Sequence, residues 1–543
     1  MVTNGGNNGK ISTIDVRTGG TDETADIDKA ISVAGYGTFN VLLFLAALPV
    51  AWTGIFDTTT SAFIIASAEC DLRLTFFRKG VLSAFPFLGM AMTGFLWDHL
   101  TPYVGARNLF VLGLLADSIL NVLSTAVDSY YAFLAIKFFS GVLAGGPFSM
   151  VTTYLSEFHS PSYKASFARW GGLAVNAAII VPAIRFFPVI AFIVSPLSLT
   201  VNIFNRPYTS WRIYLLICSM VPVLGLVTAS TLPQSPKYLM EIGKPDEALK
   251  LLRRMYAVNK NKPAHTFPIK ALLVWENASL SRRAPFNTNS EKIRLTCYNA
   301  KLLFSSRYLR AVLFINFLQF GSMLGFNTMR LWVPHLFIIL NNFDYERWTN
   351  DRPPTMREML DPRMSVPAKP YLSCPDFQRI CLTWKISAAV YENSAIIALS
   401  AVTFSFLVGT ISTTTFRKKG LMLAAFLVSV ISSFGINWAQ SPPYMLTLAA
   451  AIIVTTRIAG NIVTAVNIDV IPIPLRSTSL NMLVIVGNVA AVLGNFAFSA
   501  LLEAECLVGF MGIGCLLFAC FCLSFFHPRP VKTSEKSLAM SNA

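Results

Sequence analysis

The sequence predicts an all-α integral membrane protein that crosses the bilayer twelve times. Hydrophobic residues make up 54% of its 543 residues and charged residues make up 13%, about half of the roughly 25% found in a soluble domain. The mean hydropathy is +0.55. Apolar stretches of about 20 residues recur along the chain, and each is long enough to cross a bilayer core of about 30 Å.

The predicted membrane spans form two groups of six, separated by a hydrophilic stretch. In chain order the spans are 38–62, 79–98, 107–127, 131–154, 168–190, 211–231, 309–333, 391–413, 419–438, 444–467, 480–502 and 506–526. We therefore expect five units: a disordered tail (1–37), an N-terminal six-helix bundle (38–231), a linker (232–308), a C-terminal six-helix bundle (309–526) with a long loop at 341–390, and a second tail (527–543).

The polar segments outside the spans differ in their predicted order. The first thirty residues are polar and rich in Gly, Thr and Asp, which is typical of a disordered tail. In the linker, "KPDEALKLLRRMYAVNK" has Leu249, Leu252 and Met255 at helical spacing between basic residues. This pattern predicts a short amphipathic helix that lies under the bundle or on the membrane surface.

Lysine and arginine are concentrated on one predicted side of the membrane. The linker, the "FRKKG" stretch (416–420) and Arg476 all fall on this side. Because basic loops stay in the cytoplasm, both termini and the linker are expected there, with 341–390 outside. The formal net charge of +16 is assigned to loops and anionic lipid headgroups, and no nucleic-acid partner is expected. The plasma membrane and an intracellular vesicle membrane both stay open as locations.

The sequence carries no signature of an enzyme, a metal site or a cofactor. The nine cysteines include no CxxC pair, and the five histidines are unclustered. Phosphate-binding loops, His-Glu-x-x-His and Gly-x-Ser-x-Gly are all missing from the sequence. We therefore expect a protein that is not an enzyme and needs no cofactor. Cys374 and Cys381 share the 341–390 loop and could pair if it lies outside the cytoplasm.

The second predicted span ends in a motif that needs a charge partner. In "GFLWDHLTPYVGARN", Gly94 and Asp98 are four residues apart and share one helix face. A carboxylate is unfavourable at the carboxyl end of a helix. Asp98 therefore needs a following cation such as Arg107, or the positive end of another helix.

Several motifs together resemble the major facilitator superfamily. They are "GFLWDHLTPYVGARN" (94–108), "SGVLAGGPFSMVTTYLSEF" (140–158), "LPQSPKYLMEIGKPDEALKLL" (232–252) and "IDVIPIPLRSTSL" (468–480). Their order and spacing are similar to those of the synaptic vesicle glycoprotein 2 branch and of the sugar and organic-ion transporters. The resemblance spans most of residues 36–526.

The resemblance implies the major facilitator fold, with two pseudo-symmetric six-helix bundles that rock around a central site. It also implies a set of residues that gate the cytoplasmic side. These are Gly94, Asp98, Arg107, Pro233, Ser235, Pro236, Lys237 and Arg476.

The chain departs from the family pattern at several of these positions. Gln234 and Lys237 stand where the family has Glu and Arg, and "TTTFRKKG" (413–420) lacks the acid of the first-half motif. These departures keep a second hypothesis open, in which the protein kept the fold but acts in binding or trafficking.

The first span contains an acid, in "WTGIFDTTTSAFI". A charge at a helix centre costs about 2.5–3.5 kcal/mol on insertion scales, so Asp57 must face protein or water. Thr53, Asp57, Thr60 and Ser61 lie three or four residues apart on one helix face. The resemblance implies that this span lines the central cavity, so Asp57 could contact a solute, a cation or a proton. The alternative is a structural pair with Lys137 or Arg457.

Other polar residues in the spans are candidates for the same cavity. Each has a structural alternative, which is snorkelling for Lys137 and interhelical hydrogen bonding for the amides. Arg330 lies close to the end of span 7, and we expect it to snorkel. The further cavity candidates are Lys137, Asn316, Gln319, Arg457 and Asn488.

The sequence therefore predicts a secondary active transporter of a small polar or charged organic solute, an organic ion or a sugar-like molecule. We expect a monomer in the lipid bilayer whose partners are the solute and a coupled proton or cation. The alternative is a transport-deficient membrane protein similar to the synaptic vesicle proteins.

Overall fold

The computed structural model describes residues 24–160, 201–273, 301–359, 388–504 and 508–526, except for 66, 70, 204–205, 342, 344–347, 349–352 and 413. The predicted fifth span (168–190), Cys374 and Cys381 lie outside the described residues. Ten helical segments of the described chain are long and apolar enough to cross a membrane, and Val508–Ser524 is a shorter apolar helix. The chain is a multi-pass membrane protein.

The N-terminal half and the linker contain nine described helices. They are α1 (Ile27–Ala34), α2 (Thr38–Ile64), α3 (Phe76–Val104), α4 (Ala106–Ser124), α5 (Tyr130–Ser156), α6 (Ser210–Cys218), α7 (Met220–Thr231), α8 (Pro236–Glu241) and α9 (Pro245–Lys260). Four short strands complete this part. Strand β1 (Thr24–Ala25) pairs in parallel with β4 (Ala271–Leu272), and β2 (Val201–Ile203) pairs antiparallel with β3 (Arg206–Tyr208).

The described C-terminal half contains seven further helices. They are α10 (Ser306–Asn341), α11 (Met356–Met359), α12 (Ala388–Ile411), α13 (Thr415–Gly435), α14 (Pro442–Val470), α15 (Ile473–Ala504) and α16 (Val508–Ser524). Its core is one large cluster that includes Trp332, Ile452, Phe498 and Leu517. The N-terminal half has two such cores, one around Phe133 and Trp211 and one around Phe110 and Tyr154.

Small residues allow the helices of the N-terminal half to pack closely. A β-carbon added to Gly141 of α5 would lie 2.1 Å from the carbonyl oxygen of Pro86 in α3, and one added to Gly146 would lie 2.2 Å from the Trp97 ring. Any larger side chain would force the helices apart. The glycines of "SGVLAGG" therefore act in close helix packing, as small residues do in membrane bundles.

A layer of short helices covers one end of the N-terminal half. The buried residues of α9, which include Leu249, Leu252 and Met255, pack against Ala30 and Ile31 of α1. The expectation of a disordered tail is therefore wrong for residues 24–34. Helix α1 is ordered because Asp26 caps its amino end and its apolar residues are buried by α9.

This layer defines the two ends of the bundle. Asn259 of α9 accepts a hydrogen bond from the Phe39 amide at 2.9 Å and donates to the Gly35 carbonyl at 2.8 Å, so α2 begins at the layer. We call this the linker end. Helix α2 has 27 residues and a length of about 40 Å, so Ile64 lies at the opposite end, which we call the distal end.

The two halves contact each other along α3 and α15. A β-carbon on Gly80 would lie 2.1 Å from Ser499 Oγ, and one on Gly94 would lie 2.6 Å from Ile485 Cγ1. A small apolar cluster also joins the halves towards the distal end. It consists of Ala62, Ala84 and Phe87 from the first half and Leu331, Ala491 and Val492 from the second.

Candidate functional site

A buried cluster of polar side chains joins three helices of the N-terminal half. Asn121 of α4 donates from Nδ2 to Asp57 Oδ1 at 2.9 Å and to Asp117 Oδ1 at 3.1 Å. Its Oδ1 accepts a hydrogen bond from Lys137 Nζ at 3.2 Å. Ser140 Oγ donates to Asp117 Oδ1 at 2.5 Å. All five side chains are at most 7% exposed, so their charges interact with little screening by water. We call these five residues the acid cluster.

The local sequence explains how the acid cluster forms. Asp117 and Asn121 are four residues apart on α4, and Lys137 and Ser140 are three apart on α5, so each pair shares a helix face. Asp57 approaches the same point from α2. The cluster contains two carboxyl groups and one ammonium group, and it carries one excess negative charge when both acids are ionised.

The acid cluster has unused capacity for hydrogen bonds. Asp57 Oδ2 and Asp117 Oδ2 are buried with no hydrogen-bond partner, and so is Ser61 Oγ. Buried polar atoms are nearly always paired. Two unpaired carboxylate oxygens next to one lysine can accept a proton or a small cation.

The structure gives a third arrangement for Asp57, besides the two pairs considered from the sequence. Asp57 and Lys137 both bind Asn121, so the amide bridges them. Arg457 instead lies over the Phe326 ring, with Cζ 5.1 Å from the ring centroid.

The hydroxyl groups near Asp57 are mostly bound to their own helix. Thr53 Oγ1 donates to the Pro49 carbonyl at 3.3 Å, and Thr60 Oγ1 donates to the Phe56 carbonyl. Both side chains are fully or nearly fully buried. Thr53 and Thr60 therefore form part of the protein surface beside Asp57. Their hydroxyl protons are used within the helix, but their hydroxyl oxygens can still accept a hydrogen bond.

Arg330 does not snorkel to the membrane surface, and that expectation is wrong. Its Nη1 donates to Thr59 Oγ1 of α2 at 3.0 Å, and its Nη2 donates to Asn327 Oδ1 at 3.4 Å. The guanidinium also lies 5.4 Å from the Phe326 ring centroid. Arg330 therefore points into the contact between the two halves, because neutral acceptors and an aromatic face lie there.

The predicted amides of the C-terminal half lie on α10 and α15. Asn316 Nδ2 donates to the Val312 carbonyl at 2.8 Å, while Asn316 Oδ1 and Gln319 Oε1 are buried without a partner. Gln319 faces α14 and α15, since a β-carbon on Gly460 or Gly487 would lie 3.9 Å from its amide. Asn488 of α15 is half-buried.

A second buried ionic cluster lies between the halves at the distal end. Lys79 of α3 forms an ion pair with Glu69 at 2.9 Å, and its Nζ lies 3.1 Å from His335 Nε2 of α10. Lys79 is 2% exposed and His335 is 1% exposed. Trp332 packs on His335, with ring centroids 6.1 Å apart.

The predicted gating residues of the first half lie towards the linker end, where they make different kinds of contact. Arg107 donates to the Ser230 carbonyl at 2.7 Å, at the carboxyl end of α7, where a cation is favourable. Gly94 supplies the close contact with Ile485 described above. The backbone of Asp98 lies in α3, and its side chain lies outside the described residues.

The "PQSPK" segment fixes the linker layer to the first half. Tyr154 donates to the Pro233 carbonyl at 2.6 Å. Ser235 caps α8, with Pro236 as its first residue. Lys237 pairs with Asp28 of α1 at 3.3 Å.

Tyr238 adds a further bond at this end. Burial raises the pKa of the Tyr238 phenol above its usual value, while Lys244 opposes this shift. The phenol therefore stays protonated and donates to the Tyr103 carbonyl at 3.2 Å.

The second half has an ion pair that the sequence motif did not reveal. Lys418 in "TTTFRKKG" pairs with Asp469 of α14 at 2.5 Å. An acid from another helix therefore pairs with a lysine of this motif. Arg476 lies nearby in sequence and reaches the Ile471 carbonyl at 3.5 Å.

Sequence reasoning missed Asp117, Asn121, Lys79 and His335. An acid within an apolar span is itself a signal, and Asn121 lies one helical turn beyond Asp117. Lys79 and His335 lie close to predicted span ends, where snorkelling offers a simple explanation for charge. Their contact joins residues 256 positions apart, and no local pattern encodes it.

The helices define the class of this protein as a multi-pass membrane protein, and its similarity to solved structures shows the major facilitator fold. The family model described as "Sugar (and other) transporter" matches residues 32–328, which is more than half of the chain. The chain belongs to this family of transmembrane transporters.

Curated relatives include synaptic vesicle proteins. Synaptic vesicle glycoprotein 2B of Rattus norvegicus is 28% identical over 243 residues, which cover 44% of this chain and 35% of that protein. Synaptic vesicle glycoprotein 2A of Homo sapiens is 29% identical over 241 residues, which cover 42% of this chain and 31% of that protein. The match spans about a third of the length of these relatives.

Solved structures of the xylose transporter XylE from E. coli share the fold. The inward-open conformation has a TM-score of 0.61 at 14% identity and covers 92% of this chain and 99% of that chain. A second structure, described as the proton:xylose symporter bound to 6-bromo-6-deoxy-D-glucose, has a TM-score of 0.57 at 17% identity and covers 92% and 98%.

Proposed function

We propose that this protein is a secondary active transporter that moves a small polar or charged organic solute by alternating access between its halves. The observation that carries the proposal is the acid cluster. A structural cluster in an apolar bundle would pair its buried carboxylate oxygens, yet Asp57 Oδ2 and Asp117 Oδ2 have no partner. Membership of a transporter family also supports a transport function.

The proposed coupling ion is a proton that binds to the acid cluster. Asp57 and Asp117 both bind Asn121, and Lys137 balances only one of them. Uptake of one proton makes the cluster neutral, which favours its burial in a low-dielectric bundle. The XylE neighbour is described as a proton symporter, and this likeness of fold supports the proposal.

The remaining residues predicted from the sequence keep their roles as proposals. Cavity contacts are proposed for Thr53, Thr60, Asn316, Gln319 and Asn488. Control of the linker end is proposed for Asp98, Arg107, Lys237 and Arg476. The linker and both termini are proposed to face the cytoplasm, with 341–390 outside or in a vesicle lumen.

A second candidate function is a transport-deficient role in binding or trafficking. It is favoured by the similarity to the synaptic vesicle glycoproteins and by the departures at Gln234 and Lys237. The two functions differ in whether a solute crosses the membrane.

Uptake by the purified full-length chain in proteoliposomes tests the proposal. A panel of sugars, organic cations and organic anions is applied with and without an inward proton gradient. Uptake of at least one solute that the gradient increases supports coupled transport. The matched variants are Asp57→Asn, which should lose the gradient effect, and Asp246→Asn at an exposed position of α9, which should keep it. Uptake of no solute class above empty liposomes would favour the second function.

A further inference from the structure

Two arginines from different helices lie at one aromatic ring in the C-terminal half. Arg330 of α10 and Arg457 of α14 have Cζ atoms 5.4 Å and 5.1 Å from the centroid of Phe326. Both arginines are partly buried, and two like charges placed at one aromatic ring repel each other in a low-dielectric setting. We call Arg330 and Arg457 the arginine pair.

The hydrogen-bond partners of Arg330 within the described residues are neutral. Its Nη atoms bind Thr59 Oγ1 and Asn327 Oδ1, and its Nε is buried without a partner. Among the described side chains, no carboxylate oxygen lies within 4.0 Å of this guanidinium. A buried cation without an anion is costly, so the surroundings of Arg330 favour a negatively charged ligand.

The helices around the arginine pair contain few acids. Helix α10 has no Asp or Glu among its 36 residues. In α14 the only acid is Asp469, which binds Lys418 at the linker end. Asp57 is held by Asn121 in the acid cluster. The positive charge of Arg330 is therefore not offset by an acid on α10 or, at this depth, on α14.

We propose that the solute of this transporter is an organic anion whose carboxylate, sulfonate or phosphate group binds to Arg330 and Arg457. This inference rests on the proposed transport function and names its substrate class. A planar guanidinium binds a carboxylate through two parallel N–H···O bonds, and Arg330 Nε is a free donor for one of them. The apolar body of the solute would then lie close to Phe326.

The proposed anion competes with Asn327 for Arg330. A bidentate anion binds Nε and Nη2, which lie on the same side of the guanidinium, and so replaces the bond from Nη2 to Asn327. The bond from Nη1 to Thr59 joins the two halves, because α10 and α2 belong to different bundles. Solute binding therefore takes place on a residue that connects the halves, and a solute drives alternating access only if it binds one arrangement of the halves better than the other.

The test identifies solutes without choosing them in advance. Proteoliposomes with the full-length chain are incubated with an aqueous cell-metabolite extract, and lumenal solutes are compared with empty liposomes by mass spectrometry. Enriched solutes should be anions at pH 7. The neutral methyl ester or amide of each enriched solute should compete for uptake at least 10-fold more weakly, which corresponds to about 1.4 kcal/mol.

Matched arginine variants connect this preference to the site. Arg330→Gln should remove the 10-fold preference for acid over ester, and Arg310→Gln, on the exposed part of the same helix, should keep it. If Arg330→Gln does not reach the membrane folded, Arg457→Gln serves as the second variant with the same expected loss.

The outcomes separate the two proposals. Enrichment of neutral or cationic solutes only would leave transport intact and overturn the anion inference. An unchanged preference in both arginine variants would also overturn it. If no solute of any charge accumulates, the transport function fails, and the inference fails with it.

Discussion

Lys79 Nζ and His335 Nε2 lie 3.1 Å apart and join the two halves at the distal end. Lys79 is also paired with Glu69 at 2.9 Å, and this ion pair favours the ammonium form. An ammonium group can only donate, so His335 Nε2 accepts the bond and its proton lies on Nδ1. That Nδ1 is buried without a partner. The contact therefore requires a neutral imidazole.

This contact between the halves should persist on mild acidification. Protonation of His335 Nε2 would place two cations in direct contact at a buried position, which is unfavourable, so the imidazole should stay neutral. Phe77 and Phe496 have ring centroids 6.3 Å apart across the halves, so cysteines at these positions report on the contact. In a cysteine-depleted background, oxidative cross-linking of this pair should not change between pH 7.5 and 5.5 beyond the intrinsic effect of pH on thiols.

His335→Gln supplies the control for this prediction. Glutamine accepts a hydrogen bond from Lys79 but does not titrate, so cross-linking in this variant should not depend on pH beyond the intrinsic effect on thiols. A fall in the wild-type protein that is absent from this variant would show that His335 is protonated in this range and would contradict the prediction.

The acid cluster should tolerate loss of one acid but not of both. In Asp57→Asn or Asp117→Asn, the other acid still balances Lys137, so stability should change by less than about 1 kcal/mol. The double variant leaves a buried lysine without an anion, which costs roughly 3–5 kcal/mol. We expect normal thermal melting of the single variants in detergent and collapse of the double variant.

Removal of the stranded charge should restore the fold. Adding Lys137→Gln to the double variant should return expression to that of the single variants, because no charge then remains in the cluster. A double variant as stable as the single ones would show that Lys137 does not depend on these acids.

Close packing at Gly141 should make this position intolerant of a methyl group. The added β-carbon would lie 2.1 Å from the Pro86 carbonyl oxygen, and this backbone atom cannot move without shifting α3. Gly141→Ala should lower stability by about 1–3 kcal/mol, as overpacking does. Gly420→Ala, where nothing lies within 4 Å of the added atom, is the matched control. Equal melting temperatures of the two variants would contradict the observed approach of α3 and α5.

The orientation in the membrane is testable at the linker layer. Lys262 is exposed just after α9, and the concentration of basic residues predicts that it faces the cytoplasm. In a cysteine-depleted background, Lys262→Cys should react with an impermeant maleimide only after the cells are permeabilised. Labelling of intact cells would reverse the proposed topology.

The sequence predicts the membrane helices well because their signal is local. Hydropathy over about 20 residues and helix-ending residues are read without knowledge of neighbours, and α2 begins at residue 38, as predicted. The sequence does not predict α1, because its short apolar face is stabilised only by contact with α9 and this contact has no local signal. Pairings between helices were missed for the same reason. Asp57 was recognised as a candidate, whereas its link to Lys137 through Asn121 depends on how three helices meet.

The depth of a charge is also hard to read from sequence. Arg330 lies eleven residues before the end of α10 at Asn341, although the predicted span ended at 333. The longer helix places Arg330 inside the bundle rather than at its rim. The predicted span is shorter than the helix because Pro334 and His335 are typical of the end of a span. The apolar residues 336–340 continue the helix beyond them.

Proton movement that accompanies solute entry tests the central claim most directly. Proteoliposomes loaded with a pH-sensitive dye, and containing either the wild-type chain or Asp57→Asn, receive a transported solute from the uptake panel under symmetric pH. The account predicts acidification of the lumen by the wild-type protein on solute addition, and at least a 10-fold smaller signal with Asp57→Asn at comparable protein content. Solute entry without acidification in the wild type, or equal acidification in both, would contradict proton coupling through the acid cluster.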